Sequence, residues 1–146
     1  MSSKKSKTPY KGQCLCGSIQ YEVDKIETQM AHCHCSMCRK FHGAAFASFG
    51  EAKAEHFRWV AGQEFLKTYL APNGTKRKFC EQCGSSLIFE PSNNEDKLIE
   101  FSLGTLDSEI ELKPDAHIFT DSAAGWYEIT DDLPKFTENR TSKVKT

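Results

Sequence analysis

The sequence predicts a mainly β domain stapled by metal, and three observations lead there. Apolar residues alternate with polar ones at a period of two through much of the chain. Turn-forming pairs such as Asn73-Gly74 separate those stretches. Seven cysteines fall in clusters, as Cys14-x-Cys16, Cys33-x-Cys35-x-x-Cys38 and Cys80-x-x-Cys83. Alternation marks a half-buried strand, because successive side chains point to opposite faces. Cysteines grouped at such short spacing suit a small ion held between them.

The 146 residues suit one domain with a moderate core. Hydrophobic residues make up 38% and charged ones 27%, the balance of a soluble globular protein. A net charge of -1 lacks the basic excess of a general nucleic-acid or anionic-membrane binder. No apolar run reaches the roughly 20 residues of a membrane span. "MSSKKSKTPYKGQ" has positive charge but no apolar run behind it, so it does not read as an export signal. Residues 1–10 read as a solvated tail, 11–137 as the domain, and 138–146 ("ENRTSKVKT") as a second tail. An odd number of cysteines without an export signal favours free thiols and a cytoplasmic location.

Taken in order, the elements begin with a knuckle, "CLCGSIQYEV", in which Gly17 and Ser18 follow the second cysteine. The chain must fold tightly round an ion there, and glycine accepts positive φ at low cost. Backbone N–H groups can then point at the sulfurs and offset their charge. Ile19, Tyr21 and Val23 continue it as a strand. After "HCHCSMC", the segment following Cys38 invites one short helical turn. "AAFASFG" (Ala44–Gly50), "EFLKTYL" (Glu64–Leu70) and "KLIEFSL" (Lys97–Leu103) read as strands. Asn73-Gly74 is a hairpin turn. "CEQCGSSLIFE" repeats the knuckle-then-strand pattern, and "EPSNNEDK" supplies a connection. The sheets are expected to be antiparallel.

The cysteines divide into four and three. Cys14, Cys16, Cys80 and Cys83 can meet only if the fold joins distant segments, and would then form a closed four-thiolate site. Cys33, Cys35 and Cys38 remain, one ligand short of a tetrahedron, and an open position is what a catalytic zinc needs. In an extended Cys33-His34-Cys35 segment His34 and His32 face away from the two cysteines. His42 could close the site, since Cys38-x-x-x-His42 suits a helical turn. Pairing Cys33 or Cys35 with a knuckle is a third, less economical division. Zinc with three thiolates carries a net charge of about -1, and is a weaker Lewis acid than zinc on three imidazoles. It suits soft-ligand chemistry with a thiol.

These residues resemble a known family. Cys-x-Cys-Gly, "HCHCSMCRK", "KRKFCEQCGSSL", "GTLD", "PDAHIF" and "GWYEITDDLPKF" are similar, from about Lys11 to Phe136, to the glutathione-dependent formaldehyde-activating enzymes, a family that includes centromere protein V. The resemblance implies a zinc-stabilised β-tent fold of short antiparallel sheets. It implies two zinc ions, a structural one on Cys14, Cys16, Cys80 and Cys83 and a catalytic one on Cys33, Cys35 and Cys38. The three-thiolate site is the more labile, since it can lose its ion on oxidation. The implied activity is that of a carbon–sulfur lyase adding a small thiol such as glutathione to formaldehyde, or acting on a related aldehyde or imine adduct. The metal would hold both small-molecule reactants close. A non-catalytic, zinc-stabilised binding module is the alternative, and its second site would be closed.

Candidates for substrate contact or proton transfer are His34, His42, Arg39 and Phe41, all beside the three-cysteine set. The imidazoles qualify because their intrinsic pKa lies near neutrality. Lys40, Lys76, Arg77 and Lys78 read as solvated basic residues. Phe46, Phe49 and Trp59 read as core aromatics, and His117 as a buried hydrogen-bonding residue. Asp107 is assigned no catalytic role.

Overall fold

In the computed structural model, which describes residues 8–145, the chain forms ten strands and one α-helix joined by short 3-10 turns. The strands are β1 (Tyr10–Gln13), β2 (Gln20–Val23), β3 (Ala31–Cys33), β4 (Ala47–Lys53), β5 (Phe57–Ala61), β6 (Leu66–Leu70), β7 (Lys76–Cys80), β8 (Ser86–Glu90), β9 (Leu98–Ser102) and β10 (Ala116–Ile118). The helix α1 is Ser36–His42. Two compact units result. The first comprises the described residues up to Thr28 together with Gly50–Leu112, and the second Gln29–Phe49 together with Lys113 onward.

In the first unit β1, β2 and β5 form an antiparallel sheet in that order, and β9, β8, β7 and β6 lie side by side. Alternation in "IQYEV" buries Ile19, Tyr21 and Val23 and turns Gln20 outward, as the period of two requires. Tyr21 anchors the core. Its ring stacks on Phe57 at 5.1 Å and meets Phe101 at 5.8 Å, while its hydroxyl pairs with Thr105 Oγ1 at 2.7 Å. Trp59 packs edge-on against Tyr21 and Phe57 but is only half-buried, so it borders the core rather than lying in it. The Asn73-Gly74 turn joins β6 to β7, and Asn73 Oδ1 accepts from the Thr75 backbone N–H at 3.1 Å.

Gly62 opens the 3-10 turn Gln63–Phe65 at φ 76°, and a Cβ there would run into the Ser18 carbonyl. Left-handed geometry and a backbone clash act together. Gly62→Ala is therefore expected to cost about 2 kcal/mol or more, read as a lowered denaturant midpoint. A midpoint equal to that of the unmodified chain would contradict this.

Arg77 departs from the solvated role expected of it. It is 3% exposed, with its guanidinium 4.7 Å above the Phe89 ring. The register Arg77↔Phe89 and Phe89↔Glu100 sets the three in one row across β7, β8 and β9. Lys78 fits the sequence reading better, pairing with Glu90 at 3.2 Å. Burial, reinforced by the charge of Glu51 and opposed by Arg77, pushes the Glu100 carboxyl up to about 7. The folded chain thus favours the neutral acid, and stability falls as pH rises from the ordinary value of 4.5 through about 7. Glu100→Gln should match the unmodified protein near pH 4 and exceed it by on the order of 2–3 kcal/mol near pH 8. Urea unfolding at both pH values checks this; a difference independent of pH would refute it.

The second unit holds β10, β3 and the start of β4 side by side. β3 and β4 are antiparallel, but β10 runs parallel to β3. The antiparallel expectation therefore fails at this pair. A long connection separates the two strands in sequence, which is what a parallel pairing needs. The strand expected over Ala44–Gly50 starts only at Ala47. The helix begins before Cys38 rather than after it, because Cys35 caps it: its sulfur accepts from the Cys38 backbone N–H, and Gly43 ends the helix at φ 60°. Residues 138–145, expected as a tail, are hydrogen-bonded within this unit. Glu138 O accepts from the Phe119 N–H at 2.8 Å, Arg140 pairs with Asp115, and Lys145 with Asp121 at 3.0 Å. Among the described residues no helix is long and apolar enough to cross a membrane.

Candidate metal centres

The two knuckles of the first unit are built alike. In each, a glycine at φ near 80° follows the second cysteine: Gly17 at 81° and Gly84 at 80°. Its N–H returns to the carbonyl of the first cysteine, Gly17 to Cys14 at 3.0 Å and Gly84 to Cys80 at 2.7 Å. The serines after the glycines then cross-link the knuckles. Ser85 Oγ accepts from the Leu15 N–H at 2.8 Å, and Ser18 donates to Gln82 Oε1 at 2.7 Å. These links bring together cysteines 64 positions apart.

All four sulfurs lie within 4.8 Å of one another. Cys14 and Cys16 are 3.6 Å apart and Cys16 and Cys80 3.9 Å. A tetrahedron with Zn–S bonds of about 2.3 Å has edges of about 3.8 Å, so the donor set fits zinc. A disulfide would need the sulfurs at about 2 Å, and all seven cysteines are free thiols. The Ile19 N–H points at Cys14 Sγ at 3.3 Å, as the knuckle reading expected. Around Cys83 desolvation works against ionisation. Hydrogen bonds from the Ser85 hydroxyl and backbone N–H outweigh it, and hold the thiol down at about 5.

In the second unit Cys33 ends β3, Cys35 caps α1 and Cys38 lies one turn inside it, which brings their three sulfurs within 4.8 Å of one another. Cys33 and Cys38 are buried and Cys35 is half-buried. No histidine or carboxylate joins either group among the described residues. His42, which could have completed the tetrahedron, instead meets the Phe49 ring edge-on at 5.3 Å. Phe41 lies against His42, and Arg39 Nε donates to the Ser122 carbonyl at 3.1 Å, tying α1 to the 3-10 turn Thr120–Ser122.

The residues alternating with Cys33 and Cys35 build a second cluster. His34 is buried, 1% exposed, and its Nε2 lies 2.8 Å from Nδ1 of the equally buried His117. His117 Nε2 meets Asp131 Oδ2 at 2.9 Å. His32 pairs through Nδ1 with Ser48 Oγ at 2.6 Å and lies against His117 at 4.9 Å. Phe46 covers His32 and His34 at 4.6 and 4.9 Å, so it belongs to this cluster rather than to an apolar core. Desolvation, then the neighbouring His117 and His32, hold the His34 imidazolium down at about 4. That lies below the near-neutral intrinsic value of a free imidazole. Burial, which the sequence cannot show, is the reason.

Sequence reasoning missed Asp131, Trp126 and Tyr127. Trp126 is 73% exposed, and the Tyr127 ring lies 5.7 Å from Phe46. Exposure of so large an apolar side chain is a structural signal; in the sequence only the motif "GWYEITDDLPKF" marks these positions.

A mainly β chain that assembles one complete and one incomplete thiol tetrahedron defines a protein able to hold two metal ions in different ways. The chain belongs to the glutathione-dependent formaldehyde-activating enzyme family, whose model matches residues 9–122. It is similar to an uncharacterized lyase of Schizosaccharomyces pombe, at 27% identity over 92% of this chain and 95% of that one. A Halomonas elongata protein provisionally named a glutathione-dependent formaldehyde-activating enzyme is 27% identical over 81% of this chain and 79% of its own. Among solved structures, a crystal structure of a Rhodobacter sphaeroides protein superposes with a TM-score of 0.58 at 26% identity, covering 69% of this chain and 91% of that one.

Proposed function

We propose that this protein is a zinc-dependent carbon–sulfur lyase of the formaldehyde-activating type, joining a small thiol such as glutathione to formaldehyde or handling a closely related aldehyde or imine adduct. The observation that carries it is the three-sulfur cluster of Cys33, Cys35 and Cys38, to which no fourth ligand is added among the described residues. A zinc ion bound there would supply a soft Lewis acid with a coordination position left for a substrate. Cys35, which caps α1, and Cys38, within it, are held in a fixed relation to each other by the Cys38 N–H to Cys35 sulfur bond. Arg39, Phe41 and His42, on the same helix, are the proposed neighbours of the substrate. Cys14, Cys16, Cys80 and Cys83 are the proposed structural zinc site. Free thiols at both clusters fit a reducing cytoplasmic setting. The hydrogen bonds of residues 138–145 favour extending the functional domain expected over 11–137 to that segment.

A non-catalytic binding module would be expected to close its second site with a protein ligand, and the incomplete cluster favours the enzyme reading instead. The test mixes zinc-loaded protein with formaldehyde and glutathione and follows adduct formation and exchange by NMR. Acceleration over the uncatalysed rate is expected. Absence of acceleration with glutathione and with other small thiols or amines would sink the proposal.

A further inference from the structure

The chain Asp131···His117···His34 has a direction, and hydrogen-bond chemistry fixes it. Asp131 acts as a carboxylate: its hydrogen bond with His117, with the Leu133 N–H and the Lys135 ammonium beside it, holds its carboxyl below the usual range. An ionised carboxylate only accepts, so His117 Nε2, 2.9 Å from Oδ2, must carry a hydrogen. A ring that carries that one hydrogen is bare at Nδ1, so His117 accepts there. The partner across 2.8 Å, His34 Nε2, must donate. The lone pair of His34 is left on Nδ1, the ring nitrogen nearer the backbone that joins Cys33 to Cys35. The rest of the Asp131 surroundings reinforces this order. Oδ1 accepts from the Leu133 N–H at 3.0 Å and has Lys135 Nζ at 3.9 Å.

We propose that Asp131 is a positioning residue for the three-cysteine loop: acting through His117 it sets His34 as the Nε2–H tautomer and so clamps the residue between Cys33 and Cys35. The metal consequence of this assignment rests on the reading of Cys33, Cys35 and Cys38 as a zinc site; the tautomer assignment does not. Asp131 reaches the surface, with 46% of its side chain exposed, whereas His117 and His34 are each 1% exposed. A residue near the surface thereby orients a buried one in the loop. The role resembles that of the groups that fix the tautomer of a working imidazole in other proteins.

Asp131→Asn is the decisive variant, because it keeps the shape and reverses the direction. The Leu133 N–H can only donate and Lys135 Nζ is a cation, so both require the amide oxygen at the Oδ1 position. The amide nitrogen must then face His117 Nε2, which loses its hydrogen. His117 becomes the Nδ1–H tautomer and donates to His34 Nε2, so both rings flip. Long-range proton–nitrogen NMR on the 15N-labelled full chain reads each tautomer directly. Expected are Nε2–H on both histidines in the unmodified protein, Nδ1–H on both in Asp131→Asn, and an unchanged fold in each. In Asp131→Ala the chain is broken. Its second zinc should pass to a competing chelator about tenfold more readily, while the first is unaffected.

An unmodified protein with His34 protonated on Nδ1, or with His117 protonated on both nitrogens, overturns the proposal. So does an Asp131→Asn protein whose tautomers do not change. If only one zinc binds to the unmodified chain, the catalytic-metal reading fails by itself, and the tautomer pattern still decides the role of Asp131.

Discussion

Cys80→Ser is expected to abolish folding of the four-cysteine unit or to lower its melting temperature by at least about 10 °C. Cys80 is fully buried, and its knuckle meets another 64 positions away in the chain. Closing so long a loop costs entropy that an ion on four thiolates can offset. Structural zinc in small domains binds with an apparent free energy of about 10–16 kcal/mol, as large as the about 5–15 kcal/mol by which a whole domain is stable. Replacing one thiolate with a hydroxyl forfeits a large part of that, because serine is a poor ligand for zinc at neutral pH. The measurement is thermal unfolding by circular dichroism with zinc counted by elemental analysis. A Cys80→Ser protein that keeps its zinc and melts with the unmodified chain rules the structural role out. The same unit should unfold cooperatively when a strong chelator removes its ion.

Cys35→Ser should do the opposite: leave the fold and remove the proposed chemistry. Cys35 is the N-cap of α1, and its sulfur accepts from the Cys38 N–H at 3.2 Å. Serine is among the best N-caps, so the substitution preserves the helix start while withdrawing a soft ligand from the three-sulfur cluster. We expect a melting temperature within about 3 °C of the unmodified protein. One zinc per chain should remain, and the catalysed rate should fall by a factor on the order of 100 or more. Cys35→Ala, which also removes the cap, should lose roughly 1 kcal/mol of stability in addition. Two outcomes would count against the division of labour. One is Cys35→Ser unfolding as badly as Cys80→Ser. The other is full activity with a single zinc.

Particular elements show where the sequence was legible. The knuckles were, because a Cys-Gly-Ser turn needs positive φ at one position and a hydroxyl at the next, and both are local demands. The strand at Gln20–Val23 was, because its alternate residues Tyr21 and Val23 are buried, and those at Leu66–Leu70 and Leu98–Ser102 were, because runs of adequate length rich in strand-forming residues end in turn signals. β3 and β10 were not. Each is three residues long, too short for a period to register, and their parallel pairing depends on chain far from both. The burial of Arg77 was equally hidden. In "KRKF" nothing distinguishes it from its neighbours until the register with Phe89 and Glu100 turns it inward.

The sequence by itself determined the grouping of the cysteines, the mainly β class and the family, since ligand spacing and alternation are properties of short segments. Tertiary structure alone decided that the three sulfurs group without a histidine among the described residues and that His34 is buried. It also decided that Asp131 reaches His34 through His117. Hydrogen bonds between His34 and His117, 83 positions apart, have no trace in any window of sequence. Protonation follows from desolvation and neighbouring charge, and both come into being only when the chain has closed on itself.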